Sequence, residues 1–426
     1  MTSENTNFIE NRIKNNRVKK KEVKLKKELG YWDVTLATAG FIIGAGIFAI
    51  IGITAKYGKN FSWISVLICG LFASFTGLSY SELSSMFNQN GGEYIISKEA
   101  FNHNLAKIVA WFTIVTEILT LSSVSYGLGG YISTIVPFKE ISIATVSLLG
   151  FGYLNYSGIR KSANYNNVST ILEIAGLLII GFLGMSNIKK EQFDLTKIDN
   201  KYLTNIIVGA AFIYFAYFGF DATIELTEET KNSEETIPKA MLSGLGISTS
   251  LYLIVALSTV ATIGWKALSE SKSPMADVAN HLLGGYGGKL MLGVAIISMS
   301  NTLLMGHIGS SRFLNSISRT IKLPFNLDKI DEKNSTPKNA IILVTVISML
   351  GLLLGNLEKT VSVTNLGTLV IFFMVNLAVI VLRKKQPFRK RPFKIPFNIA
   401  DIPISSVLGC ISSILLMVYM IQHHIS

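Results

Sequence analysis

Two short glycine-bearing runs have the residue types and spacing to do chemistry. The first is Gly40-Phe41-Ile42-Ile43-Gly44-Ala45-Gly46-Ile47-Phe48, with three glycines within seven residues. The second is Phe215-Ala216-Tyr217-Phe218-Gly219-Phe220-Asp221, where a glycine and a carboxylate follow aromatic residues. Each lies inside an apolar stretch, where helix-breaking sequence is unusual because a freed backbone group in lipid is costly. Small residues also serve close helix packing, and either run alone reads that way first. A broken helix has another use. The half that starts at the break presents free N–H groups and the positive end of a dipole, which hold a carboxylate. The half that ends there presents free carbonyls, which hold an ammonium group or a metal cation. Two antiparallel broken helices therefore make a receptor for a zwitterion, such as an α-amino acid.

Ionisable groups inside apolar stretches are the next candidates. Glu117 lies ten residues past Lys107, and Glu173 twelve past Lys161. At ~1.5 Å per residue these are roughly 15 and 18 Å deep. Counted from the same side, Gly44 and Gly219 are roughly 16 and 14 Å deep, so all four fall near one plane. Burial disfavours the charged form. Glu117 and Glu173 are thus read as holding or cycling a proton, or as pairing with a bound cation. The alternative for both is a neutral glutamate hydrogen-bonded between helices. Glu82, nearer the end of its stretch, is read as a gating or structural contact. His307 reads as a packing residue rather than a proton relay, and His281, in a loop, carries no signal. Cys69 and Cys410 both sit in apolar stretches, so neither a disulfide framework nor a metal cluster is expected. No cofactor is expected beyond a possible H+ or Na+ coupling ion. No nucleophile–base pair points to an enzyme, and no repeated pore loop or ring of charges points to a channel.

The elements that must position these residues follow from composition. Of 426 residues, 49% are apolar and 15% charged, with mean hydropathy +0.44. Soluble domains average about 25% charged residues. Apolar runs long enough to cross a bilayer recur from end to end. This excludes an ordinary soluble enzyme, a disordered chain and a disulfide scaffold, and predicts an all-α polytopic membrane protein. Eleven spans are predicted: 34–54, 63–87, 105–135, 141–157, 168–186, 204–223, 240–264, 289–315, 338–356, 360–382 and 403–422. The net charge of +12 would suggest nucleic acid as partner for a soluble protein; here its location matters more. With the N-terminus inside, the inside segments hold 28 of the 39 basic residues. The bias predicts a cytoplasmic N-terminus and, after an odd number of spans, an extracytoplasmic C-terminus. Residues 1–30 read as a basic cytosolic tail, not a signal peptide. Residues 31–200 and 201–397 form two five-span halves, and 398–426 hold the last span. The two interrupted runs open the two halves. An odd number of spans per half inverts the second, the arrangement from which transporter sites at a repeat interface are built.

The ordered motifs resemble the amino acid–polyamine–organocation superfamily of secondary transporters. They are Gly44-Ala45-Gly46-Ile47-Phe48, Tyr80-Ser81-Glu82-Leu83, Gly91-Gly92-Glu93-Tyr94, the run from Phe215 to Asp221 with Glu228-Glu229-Thr230-Lys231-Asn232, Ile237-Pro238-Lys239-Ala240, Ser310-Ser311-Arg312 with Leu323-Pro324, and Arg391-Pro392-Phe393-Lys394-Ile395-Pro396. Glu117 after Trp111 and the paired glutamates after Asp221 look like the cationic amino acid transporter branch. The resemblance implies a LeuT-like core of ten spans in two inverted repeats, with helices 1 and 6 broken and access alternating around a central site. It implies a permease for neutral or cationic amino acids. A polyamine/amino acid exchanger and a non-transporting sensor of the same fold are the alternatives. Carried across, the substrate carboxylate meets the amides of Ala45 and Gly46, and the amine meets the carbonyls of Ile42, Phe215 and Phe218. Ile43, Gly44 and Ala216 complete the binding segments, and the Phe215 ring is a gate. Two departures stand out. Glu173 occupies the place where the branch often carries a lysine, and the chain has eleven spans where members usually have twelve or more.

Overall fold

The computed structural model describes residues 27–87, 92–157, 162–189, 194–321, 323–331 and 336–424. Residues 1–26 of the basic tail, Gly91, Gly158 and Lys161 lie outside these, as do the side chains of Glu228 and Glu229.

A helix stands at each of the eleven segments expected from hydropathy. The first segment is two helices, α1 (Tyr31–Ile42) and α2 (Ala45–Gly58), followed by α3 (Ser62–Met86) and a short α4 (Gly92–Ala100). Next come α5 (His103–Ser133), α6 (Glu140–Ser157), α7 (Ser162–Met185) and α8 (Asn200–Ile213). The second half continues with α9 (Ser233–Glu270), α10 (Pro274–Ile321), α11 (Lys338–Gly351) and α12 (Leu357–Lys385). A two-stranded hairpin, β1 (Asn398–Ile399) and β2 (Ile402–Pro403), leads into α13 (Ile404–His424). Among the described residues, eight helical segments are long and apolar enough to cross a membrane, and Lys338–Leu354 is a shorter apolar helix.

Sequence chemistry sets the boundaries. Asn102, Asp199 and Asn356 cap α5, α8 and α12, each side chain accepting a hydrogen bond from a first-turn amide. The helices α9 and α10 outrun the expected spans 240–264 and 289–315. Their kinks, at Gly264 (φ 78°) and Gly284 (φ 73°), fall beside the ends of the apolar stretches.

Both predicted interruptions are real. The chain leaves α1 at Ile42, runs through Ile43 and Gly44 in non-helical backbone, and re-enters a helix at Ala45. After α8 comes one 3-10 turn, Tyr214–Tyr217, then Phe218 in extended backbone and Gly219 at φ +110°. The second half of this segment is a 3-10 run, Asp221–Glu229, rather than an α-helix.

Contacts sort the helix ends onto two faces. On one, the Lys231 amide donates to the Leu29 carbonyl at 2.9 Å, Lys385 Nζ donates to the Ala100 carbonyl at 2.8 Å, and Arg383 pairs with Glu82. This is the basic face. On the other, Lys56 pairs with Glu358 at 2.8 Å and Lys272 with Glu140 at 2.6 Å. The last helix, α13, starts at the basic face beside Arg383 and has 21 residues, so it extends roughly 31 Å, enough to reach the opposite face.

Candidate functional site

The two interruptions touch. A Cβ on Gly46 would lie 2.5 Å from the Ala216 Cα, and one on Gly219 would overlap the Phe41 carbonyl. A Cβ on Gly44 would come within 3.0 Å of Thr302 Oγ1 on α10. The glycines therefore serve both readings at once: they let two backbones meet, and they do so where those backbones are unwound.

Neighbouring helices satisfy part of the freed backbone, as they must in a dry interior. The Tyr252 hydroxyl on α9 is shared between the Ile42 carbonyl at 2.8 Å and the Ala216 carbonyl at 3.0 Å, so one buried group joins the two breaks. The Asn365 amide on α12 donates to the Ala211 carbonyl at 2.7 Å and to that of Phe212 at 3.3 Å, where α8 gives way to the 3-10 turn. The Ala45 amide donates to Thr302 Oγ1 at 3.2 Å, and the Gly219 amide to Asp221 Oδ1 at 3.0 Å.

What remains is specific. The start of α2 has no side-chain cap; Thr302 engages the Ala45 amide, and the first-turn amides of Gly46 and Ile47 follow it. Of the three carbonyls expected to meet an amine, that of Ile42 already accepts from Tyr252 and from Gly44 N, and that of Phe215 accepts from Phe218 N at 3.3 Å. Among the described residues no hydrogen bond reaches the Phe218 carbonyl.

Aromatic rings close this region. Phe215 is buried and its ring lies 5.4 Å from that of Phe218. Phe372 on α12 contacts Tyr80, Tyr214, Phe218 and Phe220 at centroid distances of 5.2–6.2 Å. The Tyr80 hydroxyl in turn donates to Glu93 Oε1 on α4 at 2.8 Å.

The family described as amino acid permease matches residues 29–424. The chain belongs to this family. It is thereby a member of the amino acid–polyamine–organocation superfamily, whose members are transporters rather than enzymes. The permease is 30% identical to the branched-chain amino acid permease BcaP of Bacillus subtilis, over 92% of this chain and 89% of that protein. It is 27% identical to the methylthioribose transporter of the same organism, over 92% and 88%. It is 28% identical to cationic amino acid transporter 5 of Arabidopsis thaliana, over 86% and 67%.

In this permease Glu173 is almost wholly buried on α7, facing Ser298 of α10. Glu117 lies on α5, one turn from Leu121, which packs at Gly306 of α10. His307 is fully buried, and among the described residues neither ring nitrogen has a hydrogen-bond partner, while its backbone carbonyl accepts from Asn155 Nδ2 at 3.1 Å; His281 is exposed.

Glu82 is fully buried at the end of α3. It takes Arg383 in a bidentate pair at 2.9 and 2.6 Å and accepts from the Ile395 amide at 2.9 Å. Arg391 adds an ion pair at 3.3 Å. Reading the sequence for ionisable and glycine residues missed Tyr252, Thr302, Asn365 and Phe372. The first three carry a signal of their own: a polar group in an apolar stretch must find a partner.

Proposed function

We propose that the chain is a secondary active transporter that carries amino acids, neutral aliphatic ones foremost, by alternating access. The observation that supports this most is the meeting of two unwound segments, one starting a helix and one ending one. In this reading the amides of Gly46 and Ile47 hold the α-carboxylate, and the carbonyls of Phe215 and Phe218 hold the α-ammonium. The side chains of Ile43, Phe215 and Phe218 are apolar, which suits an aliphatic substrate better than a cationic one. The name of the Bacillus relative, a branched-chain amino acid permease, supports the same class. A polyamine has no carboxylate and would leave the amides unused.

Further parts of the reading are ours as well. Eleven segments cross the bilayer, the N-terminus is cytoplasmic and the C-terminus extracytoplasmic. Residues 31–200 and 201–397 are inverted repeats, and the basic face is the cytoplasmic one. Glu173, buried on α7 and facing Ser298, couples a proton or sodium ion to transport. Phe215 and the rings around Phe372 close the path to the basic face.

Reconstitution into proteoliposomes tests this. Labelled valine is expected to accumulate and to exchange in counterflow, with lysine and spermidine poor competitors. Binding without counterflow would replace the transporter by a sensor of the same fold.

A further inference from the structure

We infer that the segment joining α12 to α13 docks an anionic phospholipid from the leaflet at the basic face. Its charge is unbalanced. From Arg383 to Asp401 there are seven Lys and Arg residues against one carboxylate. Most of the seven are engaged inside the protein: Glu82 takes Arg383 and Arg391, Glu99 takes Arg389, and the Ala100 carbonyl takes Lys385. Two ammonium groups keep open donors. Lys384, exposed on the last turn of α12, has no hydrogen bond or ion pair among the described residues. Lys394 gives one bond to Asp401 at 2.8 Å and is about half exposed, so it keeps donors for an outside acceptor.

Apolar side chains stand exposed beside these charges. Phe397 and Ile399, at the β1 end of the hairpin, are 81% and 68% exposed. The hairpin is fixed in place by Arg383, whose Nη1 donates to Asn398 Oδ1 and, at 3.1 Å, to the Asp401 carbonyl. The Phe397 carbonyl accepts from the Ile404 amide at 3.2 Å, so both bulky side chains lie where α13 begins. From there Val407, Ile411, Ile414 and Val418, spaced i, i+4, i+7 and i+11, are exposed along one face of α13. In a chain that spans a membrane, an apolar face of this kind meets acyl chains. Phe397 and Ile399 carry it on to the polar boundary, where apolar groups are buried beside headgroups.

Backbone strain points the same way. Ala400 and Asp401, at φ +49° and +63°, are the central residues of the hairpin turn, where such values are usual. Phe397, at φ +59°, lies outside the turn, and a bulky residue there is a costly outlier. A strained backbone that holds a phenylalanine out in water is unfavourable twice over. Against acyl chains the ring is buried, which offsets the strain. Charge then selects the lipid. The phosphodiester of phosphatidylglycerol brings a net negative charge to Lys384 and Lys394, whereas phosphatidylcholine brings a cation of its own against them.

Native mass spectrometry of the full-length protein, titrated in detergent with dioleoyl phosphatidylglycerol, tests the site. The wild type is expected to retain about one more phosphatidylglycerol per chain than Lys384→Gln/Lys394→Gln, whose affinity falls about tenfold or more. Phe397→Ser/Ile399→Ser is expected to lose the same lipid. Lys359→Gln, an exposed lysine at the far end of α12, is expected to keep it. Lys384→Arg/Lys394→Arg preserves the charge and is expected to keep the lipid, which separates loss of the site from loss of the fold. Equal retention by the wild type and the glutamine variant overturns the proposal, as does equal retention of phosphatidylcholine. Displacement of the lipid by inorganic phosphate, or a serine variant that binds like the wild type, makes the patch a site for a free anion and also overturns it. A dimer that is lost in the serine variant, with no lipid bound to the wild type, makes the patch a contact between copies of the chain instead.

Discussion

Tyr252 does the most at the scale of a single residue. Its hydroxyl is the buried donor shared by the Ile42 and Ala216 carbonyls, so removing it leaves two acceptors with one partner fewer. Tyr252→Phe is expected to cost about 1–3 kcal/mol of stability, read as a lower melting temperature, and to weaken valine binding. Unchanged binding would separate the staple from the site. Gly219 sits at φ +110° with the Phe41 carbonyl where a Cβ would go. Gly219→Ala is therefore expected to destabilise by at least about 1–3 kcal/mol, and a wild-type melting temperature would show that the two backbones are not held together there. Glu173→Gln keeps the shape beside Ser298 and removes the charge. Uptake is expected to change its pH or sodium dependence more than its apparent affinity; if both ion dependences stay as they were, Glu173 has no part in coupling.

At the scale of elements, the segment after α12 is bound to the end of α3 by charge. Glu82 and Arg383 are buried, so a lone partner would be an uncompensated charge. Glu82→Gln is expected to lower stability by about 3–5 kcal/mol, far more than loss of an exposed pair such as Lys239–Glu235. Thermal unfolding of the two variants side by side is the measurement. Beyond Arg383, the Lys394 ammonium hydrogen-bonds Asp401 at 2.8 Å and, with Arg383 and Arg391, holds its carboxyl below the usual carboxylate range. A lowered value stabilises the fold above the free-carboxylate range, about pH 4, and that contribution is lost as pH falls through the lowered value. Asp401 is more than half exposed, so the effect is small. Asp401→Asn is expected to lower the melting temperature slightly at neutral pH and leave it unchanged at acid pH below the lowered value, which flattens the acid side of the profile.

At the scale of the whole molecule, a cysteine replacing exposed Glu270 is expected to react with an impermeant maleimide on intact cells. One replacing Lys390, 85% exposed on the basic face, is expected to react only after permeabilisation. The reverse pattern would invert the proposed topology. The sequence by itself determined the membrane class, the positions of the helical segments and the two places where they break. Hydropathy and glycine spacing are local properties, written in consecutive residues. Glu82 was legible as a contact and Glu173 as a buried carboxylate for the same reason, since each is an ionisable group at a countable depth. Only the tertiary structure decided that the breaks touch at Gly46 and Ala216, that Thr302 takes the Ala45 amide, and that Tyr252, Asn365 and Phe372 gather around them. These partners come from helices far apart in the chain. Backbone groups freed at mid-membrane must be satisfied by whatever packs there, and packing is not written in any one span.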